Sequence, residues 1–334
     1  MKKPLIFVFL LLLFLSMISW SSVLADGGIR EKPVLKPGTY FVYTARTNKT
    51  INESLLLDMT GSGNLFFSLK MDGKTVAMNV YGNGSVEFEV VGLKNDTATV
   101  MLTVSGTYAV VRYHGNLTTL WREEDVIGSK TYGNLTITAL RSFKIIRPYL
   151  LNVRTGEVYD IHGVPYGRSL LFYDGKIRNG TRLFTSPEGL SVSVASVSTI
   201  GSTVITYYKK FLPPLLQVKT TPYTVSTAYI SANGRSTLIY DPSSGILISY
   251  FGFSWADFQA AGFPVFGGID RSGFSKLSDN TMFAPGLVLG DTNALGETSA
   301  VEYSAENSPL VYPYVLLLAA SAAVGLWRVK GWGG

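Results

Sequence analysis

The stretch Ser85-Val86-Glu87-Phe88-Glu89-Val90-Val91 decides the fold class. Val86, Phe88 and Val90 alternate with Ser85, Glu87 and Glu89. Successive side chains of a strand point to opposite faces, so this stretch has one dry face and one wet face. The same texture continues on both sides of it. Tyr40 to Ala45, Leu65 to Leu69, Val76 to Tyr81, Ala98 to Val104 and Tyr108 to Tyr113 are short runs rich in β-branched and aromatic residues. Turn-forming pairs separate them: Asp72-Gly73, Asn83-Gly84, Asn95-Asp96 and His114-Gly115. Strands at this spacing predict a mainly β fold, an antiparallel meander, sandwich or open half-barrel.

The second half repeats the theme. Tyr223 to Ser231, then Asn233-Gly234, then Ser236 to Tyr240 predicts a hairpin whose tight turn suits positive φ. Asp241-Pro242-Ser243-Ser244-Gly245 predicts a further turn and Ile246 to Phe251 another strand, while Trp255 to Ala261 reads as one or two helical turns. The stretch from Tyr240-Asp241 through Ser244-Gly245-Ile246-Leu247 resembles a hairpin of secreted β-sheet lipoprotein-like domains; the resemblance implies a fold class and no function.

The flanks predict topology. Lys2 and Lys3, the apolar run Leu5 to Ser16 and the small-residue pattern Val23-Leu24-Ala25 read as a signal peptide over residues 1–25, cleaved after Ala25. Leu310 to Trp327 is an apolar stretch of about 18 residues, about 27 Å as a helix, enough for one transmembrane span. Arg328 and Lys330 follow it, which by the positive-inside rule places the tail 328–334 in the cytoplasm and the ectodomain outside the cell membrane. Ser321 and Gly325 have the small-x-x-x-small spacing that lets two helices approach, so this face is a candidate for self-association.

Composition narrows the classes. The chain has 334 residues, is 46% hydrophobic and only 16% charged, and carries a formal charge of +6. Lys2, Lys3, Arg328 and Lys330 account for four of those charges, and no basic stripe interleaves with aromatics, so nucleic acid is not an expected partner. With no cysteine, disulfides, thiolate metal sites and cysteine nucleophiles are excluded. A large secreted chain without disulfides points to a prokaryotic, archaeal-type origin.

Seven Asn-x-Ser/Thr sequons begin at Asn48, Asn52, Asn83, Asn95, Asn116, Asn134 and Asn179 and are candidate glycosylation sites. None lies between Arg182 and the apolar C-terminal stretch, which predicts a solvent-facing first half and a second half that is membrane-proximal or covered by a partner. The expected organisation is a sequon-bearing β region over 26–185, a second β region over 186–285, a stalk over 286–309 and a membrane helix over 310–327, with one continuous ectodomain domain as the alternative to a boundary near Thr185-Ser186-Pro187. The pattern resembles archaeal-type secreted, membrane-anchored, β-rich cell-surface glycoproteins, which implies an extracellular ectodomain and no particular activity.

Chemical motifs are sparse. His114 and His162 are the only histidines, and Asp160 lies two residues from His162, so on a strand the two would share a face. No Gly-x-Ser-x-Gly elbow accompanies them. Ser278-Asp279-Asn280 matches one element of the penicillin-binding set without its Lys-Thr-Gly partner. Glu123, Glu124 and Asp125 form the densest acidic run, yet no alternating calcium loop surrounds them; Asp291 and Asn293 read as solvated turn residues. No catalytic, cofactor-binding or metal-ligating residue is assigned. The sequence supports a non-enzymatic surface protein with a structural, adhesive or binding role toward other envelope proteins or glycans. The alternative is a membrane-anchored extracellular hydrolase that uses carboxylates, which requires two of them across a cleft.

Overall fold

The computed structural model describes residues 35–71, 73–115, 121–173, 175–271 and 280–295. The signal peptide ending at Ala25, the membrane helix 310–327 with its Ser321/Gly325 face, the flanking Arg328 and Lys330, and the sequon at Asn116 lie outside the described residues. Among the described residues, no helix is long and apolar enough to cross a membrane.

The described chain is mainly β, 56% strand and 6% helix. Its first half supplies β1 (Tyr40–Ala45), β2 (Leu65–Met71), β3 (Lys74–Val80), β4 (Gly84–Lys94), β5 (Thr97–His114), β6 (Val126–Tyr132), β7 (Leu135–Asn152), β8 (Glu157–Tyr159) and β9 (Pro165–Arg168). Its second half adds β10 (Arg182–Thr185), β11 (Ser191–Ile200), β12 (Thr203–Ile205), β13 (Lys210–Phe211), β14 (Leu215–Thr220), β15 (Tyr223–Ser226) and β16 (Ser231–Gly234). Then come β17 (Thr237–Tyr240), β18 (Leu247–Phe251), one short helix α1 (Ala256–Ala260), β19 (Val265–Gly268), β20 (Thr281–Phe283) and β21 (Leu287–Thr292).

Sixteen of these strands join one sheet, and a pairing between β5 and β7 closes part of it on itself. The result is a 12-strand barrel-like ring in the order β5-β4-β1-β21-β18-β17-β14-β11-β10-β9-β8-β7, every neighbour antiparallel. Closure removes edges that would otherwise pair with foreign strands. The ring mixes residues from both expected β regions, so the boundary expected at 185/186 falls in the turn between β10 and β11 rather than between domains. The stalk expected over 286–309 is corrected too: residues 287–292 form β21, held between β1 and β18. Its Leu287, Val288 and Leu289 are fully buried, a run that reads as core only once both neighbours are known. The strands that the sequon-free second half gives to the ring, β21-β18-β17-β14-β11-β10, form one contiguous arc.

The two 18-residue strands explain how a ring and an extension share one sheet. Thr97 to Gly106 of β5 pairs with β4 on one edge, and Ala109 to Arg112 of the same edge pairs with β3. The two predicted runs Ala98 to Val104 and Tyr108 to Tyr113 are therefore one strand that changes partner midway. Tyr108 stands at the change with φ of 54°, in the left-handed region that non-glycine residues seldom occupy. Gly106 sits beside it because a Cβ there would come within 2.9 Å of Val80 Cγ1. Beyond this point β3, β2 and β19 extend the sheet on one side and β6 on the other.

Burial follows the change of partner. Ala98, Val100, Leu102 and Val104 alternate with half-exposed residues in the ring, whereas Ala109, Val110 and Val111 are all fully buried in the extension. There the outer face is covered by the 3-10 helix Glu53–Asp58, whose Leu56 packs on Val110, Ala139 and Tyr81. Glu53 accepts two hydrogen bonds from Arg141, each 3.1 Å, and Asp58 accepts one from Lys130 at 2.6 Å.

The ring interior is packed with aromatics. Phe88 of β4 meets Tyr43 edge-on at 6.1 Å and stacks near Trp255 at 5.9 Å. Phe258 of α1 stacks on Phe266 of β19 at 3.7 Å between centroids. Each such side chain contributes roughly 1.5–3 kcal/mol on burial, and each favourable ring pair about 0.5–1.5 more. Tyr223 to Ser226 does pair with Ser231 to Gly234, but Asn233-Gly234 lies within β16 and not at the turn. The turn is made by Thr227, whose hydroxyl accepts from the backbone N–H of Tyr229 and of Ile230. The turn at Asp241 matches its prediction: its carboxylate accepts from both Ser243 and Ser244 hydroxyls, and Gly245 takes φ of 72°.

Candidate functional site

The wall of the ring is weakest between β9 and β10, which share one residue pair, Gly167 opposite Phe184. Gly167 has φ of 125°, and a Cβ on it would stand 2.3 Å from the Leu183 carbonyl oxygen. Only glycine lets the two backbones touch there. On either side of that contact the strands diverge, and Pro165 and Pro187, which have no N–H to give a ladder, flank the divergence. A cleft of about 600 Å³ results, lined by Glu157, Tyr166, Arg168, Arg182, Thr185 and Gln259 among others.

The floor of the cleft is set by α1. Gln259 is buried and its Nε2 donates to Ser254 Oγ at 3.0 Å, while Ser254 Oγ donates to the Pro264 carbonyl at 2.9 Å. Asp257, fully buried, fixes the same helix to the wall. It accepts the Tyr149 hydroxyl at 2.9 Å, the Ser169 hydroxyl at 2.8 Å and the Leu170 N–H at 3.2 Å. Burial pushes its carboxyl up to about 6, although all three donors pull the other way. A pKa raised in this way is a common mark of a catalytic acid. Here the group lies among wall residues and is not part of the cleft lining, so it acts as a tether.

The walls carry the charge. Arg182 donates from Nη2 to Thr185 Oγ1 at 2.7 Å, which aligns that guanidinium along β10. Glu157 accepts the Tyr159 hydroxyl at 2.7 Å, and this bond raises the Tyr159 pKa ahead of burial. The Tyr166 phenol is also raised, by burial first and Asp160 second. Strand directions put the β8–β9 turn and the β10–β11 turn at one end of the ring, on either side of the cleft mouth. Both turns are braced: Asp160 Oδ1 accepts the N–H of His162 and of Val164, and Ser186 exchanges bonds with Leu190. Ile161, Val164 and Leu190 on these turns are 56%, 50% and 51% exposed.

The structure does not bring the sequence candidates together. Asp160 and His162 lie in the turn, not on a strand, and Asp160 spends its oxygen on backbone N–H groups rather than on the imidazole. His114 stacks on Tyr229 at 5.5 Å. Glu123, Glu124 and Asp125 form a 3-10 turn, in which Asp125 accepts the Ser142 hydroxyl. Asp291 accepts the Tyr40 hydroxyl at 3.1 Å, and Asn293 accepts the Tyr40 N–H at 2.9 Å. Ser278 and Asp279 lie outside the described residues. Among the described residues, no three His, Asp or Glu side chains converge as metal ligands would.

Six sequon asparagines are described, Asn48, Asn52, Asn83, Asn95, Asn134 and Asn179, and all six are exposed. Asn52 also caps the 3-10 helix through Oδ1, which accepts from Ser54 N and Oγ, and Asn83 Oδ1 accepts from Thr47 N. Local sequence pattern misses the cleft residues Arg168, Arg182 and Gln259. Arg168 and Arg182 meet through the pairing of β9 with β10, and Gln259 joins them from a helix more than seventy residues further along the chain.

The fold and cleft define a class, a closed antiparallel β ring plugged by a helix, with a divergence in its wall. Comparison with known protein families, curated proteins and solved structures finds no match for the chain.

Proposed function

We propose that the chain is a membrane-anchored extracellular protein of the cell envelope with a binding rather than a catalytic role, and that the cleft between β9 and β10 is its ligand seat. The observation that carries this reading is the cleft itself: a side opening of about 600 Å³ in a ring whose interior is otherwise packed with aromatics. That volume falls within the range of small-molecule sites, about 300–1,000 Å³. The hydrolase alternative is less well supported, because among the described residues Glu157 is the one carboxylate in the lining and a carboxylate mechanism needs two. Exposure of all six described sequon asparagines supports an outside location, since a glycan must stay in water. A span at 310–327 would hold the ectodomain to the membrane.

A peptide-level mass map of the native protein from purified membranes tests the reading. A mature start at Asp26, glycan mass on several of the seven asparagines and a retained C-terminal peptide are expected. An intact Met1 region with bare asparagines would overturn it.

A further inference from the structure

We infer that the cleft binds a carboxylate-bearing oligosaccharide, an acidic glycan of the extracellular space. The inference rests on the cleft being the ligand seat. Three features of the lining select this chemistry.

Charge is the first. Arg168 and Arg182 place two guanidinium groups on opposing strands, against the single carboxylate of Glu157. Guanidinium presents a planar fork of donors that matches a carboxylate, so the lining favours an anion. Arg182 gives one donor to Thr185 and has others to offer, because the fork carries five. The second feature is the density of neutral polar groups. Thr185 stands beside Arg182, and Ser186 and Gln259 line the same cleft, so neutral polar groups that match the hydroxyls of a sugar accompany the arginines. The third is surface for the C–H faces of a pyranose ring: Tyr166, Pro165 and Pro187 border the opening. The site is also preorganised. Ser254 accepts from the Gln259 amide, Asp257 ties the helix that carries Gln259 to the wall, and the two braced turns fix the mouth, so little ordering remains to be done when ligand enters.

The test is calorimetric titration of the full chain in detergent with three probes of similar length: trigalacturonate, maltotriose and triglutamate. Trigalacturonate is expected to bind saturably and more weakly as salt rises, and maltotriose and triglutamate to give no saturable heat. Arg182→Gln, at an exposed position, should leave the unfolding temperature unchanged and weaken trigalacturonate binding by about tenfold or more, and Arg168→Gln should weaken that binding by a similar factor. Equal binding of maltotriose would overturn the role of the arginines, and equal or tighter binding of triglutamate would replace the sugar with an acidic peptide. If no probe binds to protein whose mass map shows occupied sequons, the ligand class is wrong while the surface reading stands. Bare sequons in that map would overturn the surface reading whatever the titration gives.

Discussion

The Tyr149 hydroxyl on β7 donates to Asp257 Oδ1 on α1 at 2.9 Å, and this bond ties the plug of the ring to its wall. Asp257 takes two further donors, Ser169 Oγ and Leu170 N, so one buried carboxylate gathers three elements that are distant in sequence. Removing it would leave three buried donors without an acceptor, each costing about 1–3 kcal/mol. Asp257→Ala is therefore expected to destabilise the ectodomain by about 3 kcal/mol or more, read as a shift in urea midpoint at constant slope.

The same residue sets a pH dependence. Burial raises its carboxyl from 3.8 to about 6 in the folded chain. Between these values the folded state holds the proton and the unfolded state does not. Stability from this group is therefore fully present below the unfolded pKa and is lost as pH rises through about 6. The unfolding temperature should fall between about pH 4 and about pH 7, and Asp257→Asn, which cannot titrate, should flatten that slope while costing about 1–3 kcal/mol through its misplaced NH₂. An unchanged slope in the variant would assign the pH dependence to other groups.

What the sequence makes legible follows from how far apart the deciding residues lie. The alternation in Ser85 to Val91 announces a strand because both faces are written into seven consecutive residues. The Asp241 turn is equally local, its carboxylate bonding to hydroxyls two and three residues on. Ring closure is different. It depends on Thr97 meeting Asn152 and His114 meeting Leu135, a register that no window of sequence contains. β21 reads as stalk in the sequence because Gly286, Gly290 and Asp291 break its pattern. Gly286 has φ of 80°, and a Cβ there would lie 2.0 Å from the Tyr250 carbonyl oxygen, so that glycine serves a strand contact and not a linker. The hairpin at Tyr223 misleads in the opposite direction. Asn233-Gly234 is a strong turn signal, but a Cβ on Gly234 would lie 2.9 Å from Phe253 Cε2, and packing rather than turning accounts for that glycine.

Two glycines near the cleft separate backbone strain from contact. Gly189, in the β10–β11 turn, has φ of 84° and nothing within 4 Å of the point where a Cβ would stand, so Gly189→Ala should cost only about 1–2 kcal/mol of left-handed strain. Gly167 combines φ of 125° with a 2.3 Å approach to the Leu183 carbonyl, so Gly167→Ala should cost clearly more and separate β9 from β10. Comparing the two urea midpoints checks this, and equal costs would show that the strand contact contributes little.

The aromatic plug yields a second contrast. Phe258 stacks on Phe266 and touches Trp255 and Phe88, and Phe258→Ala should cost about 3–5 kcal/mol as a core cavity. Trp255 is fully buried, yet among the described residues its Nε1 has no hydrogen-bond acceptor. Trp255→Phe removes that unsatisfied donor along with part of the ring, so the two effects oppose and the loss should be smaller than for Phe258→Ala. Thermal unfolding followed by circular dichroism would rank them.

Asn52 carries two duties that substitution can separate. Its Oδ1 caps the 3-10 helix Glu53–Asp58, and its Nδ2 is the atom a glycan would occupy, so capping and modification do not compete. Asn52→Asp keeps an oxygen for Ser54 N and abolishes the acceptor. Ser54→Ala also abolishes the sequon and leaves the backbone cap bond in place. Asn52→Ala removes both functions and should cost about 1 kcal/mol through the lost cap. With an occupied site, all three variants lose one glycan mass, but only Asn52→Ala lowers the stability of the deglycosylated protein. A native Asn52 peptide without added mass would remove this residue from the glycosylation sites and leave its capping role intact.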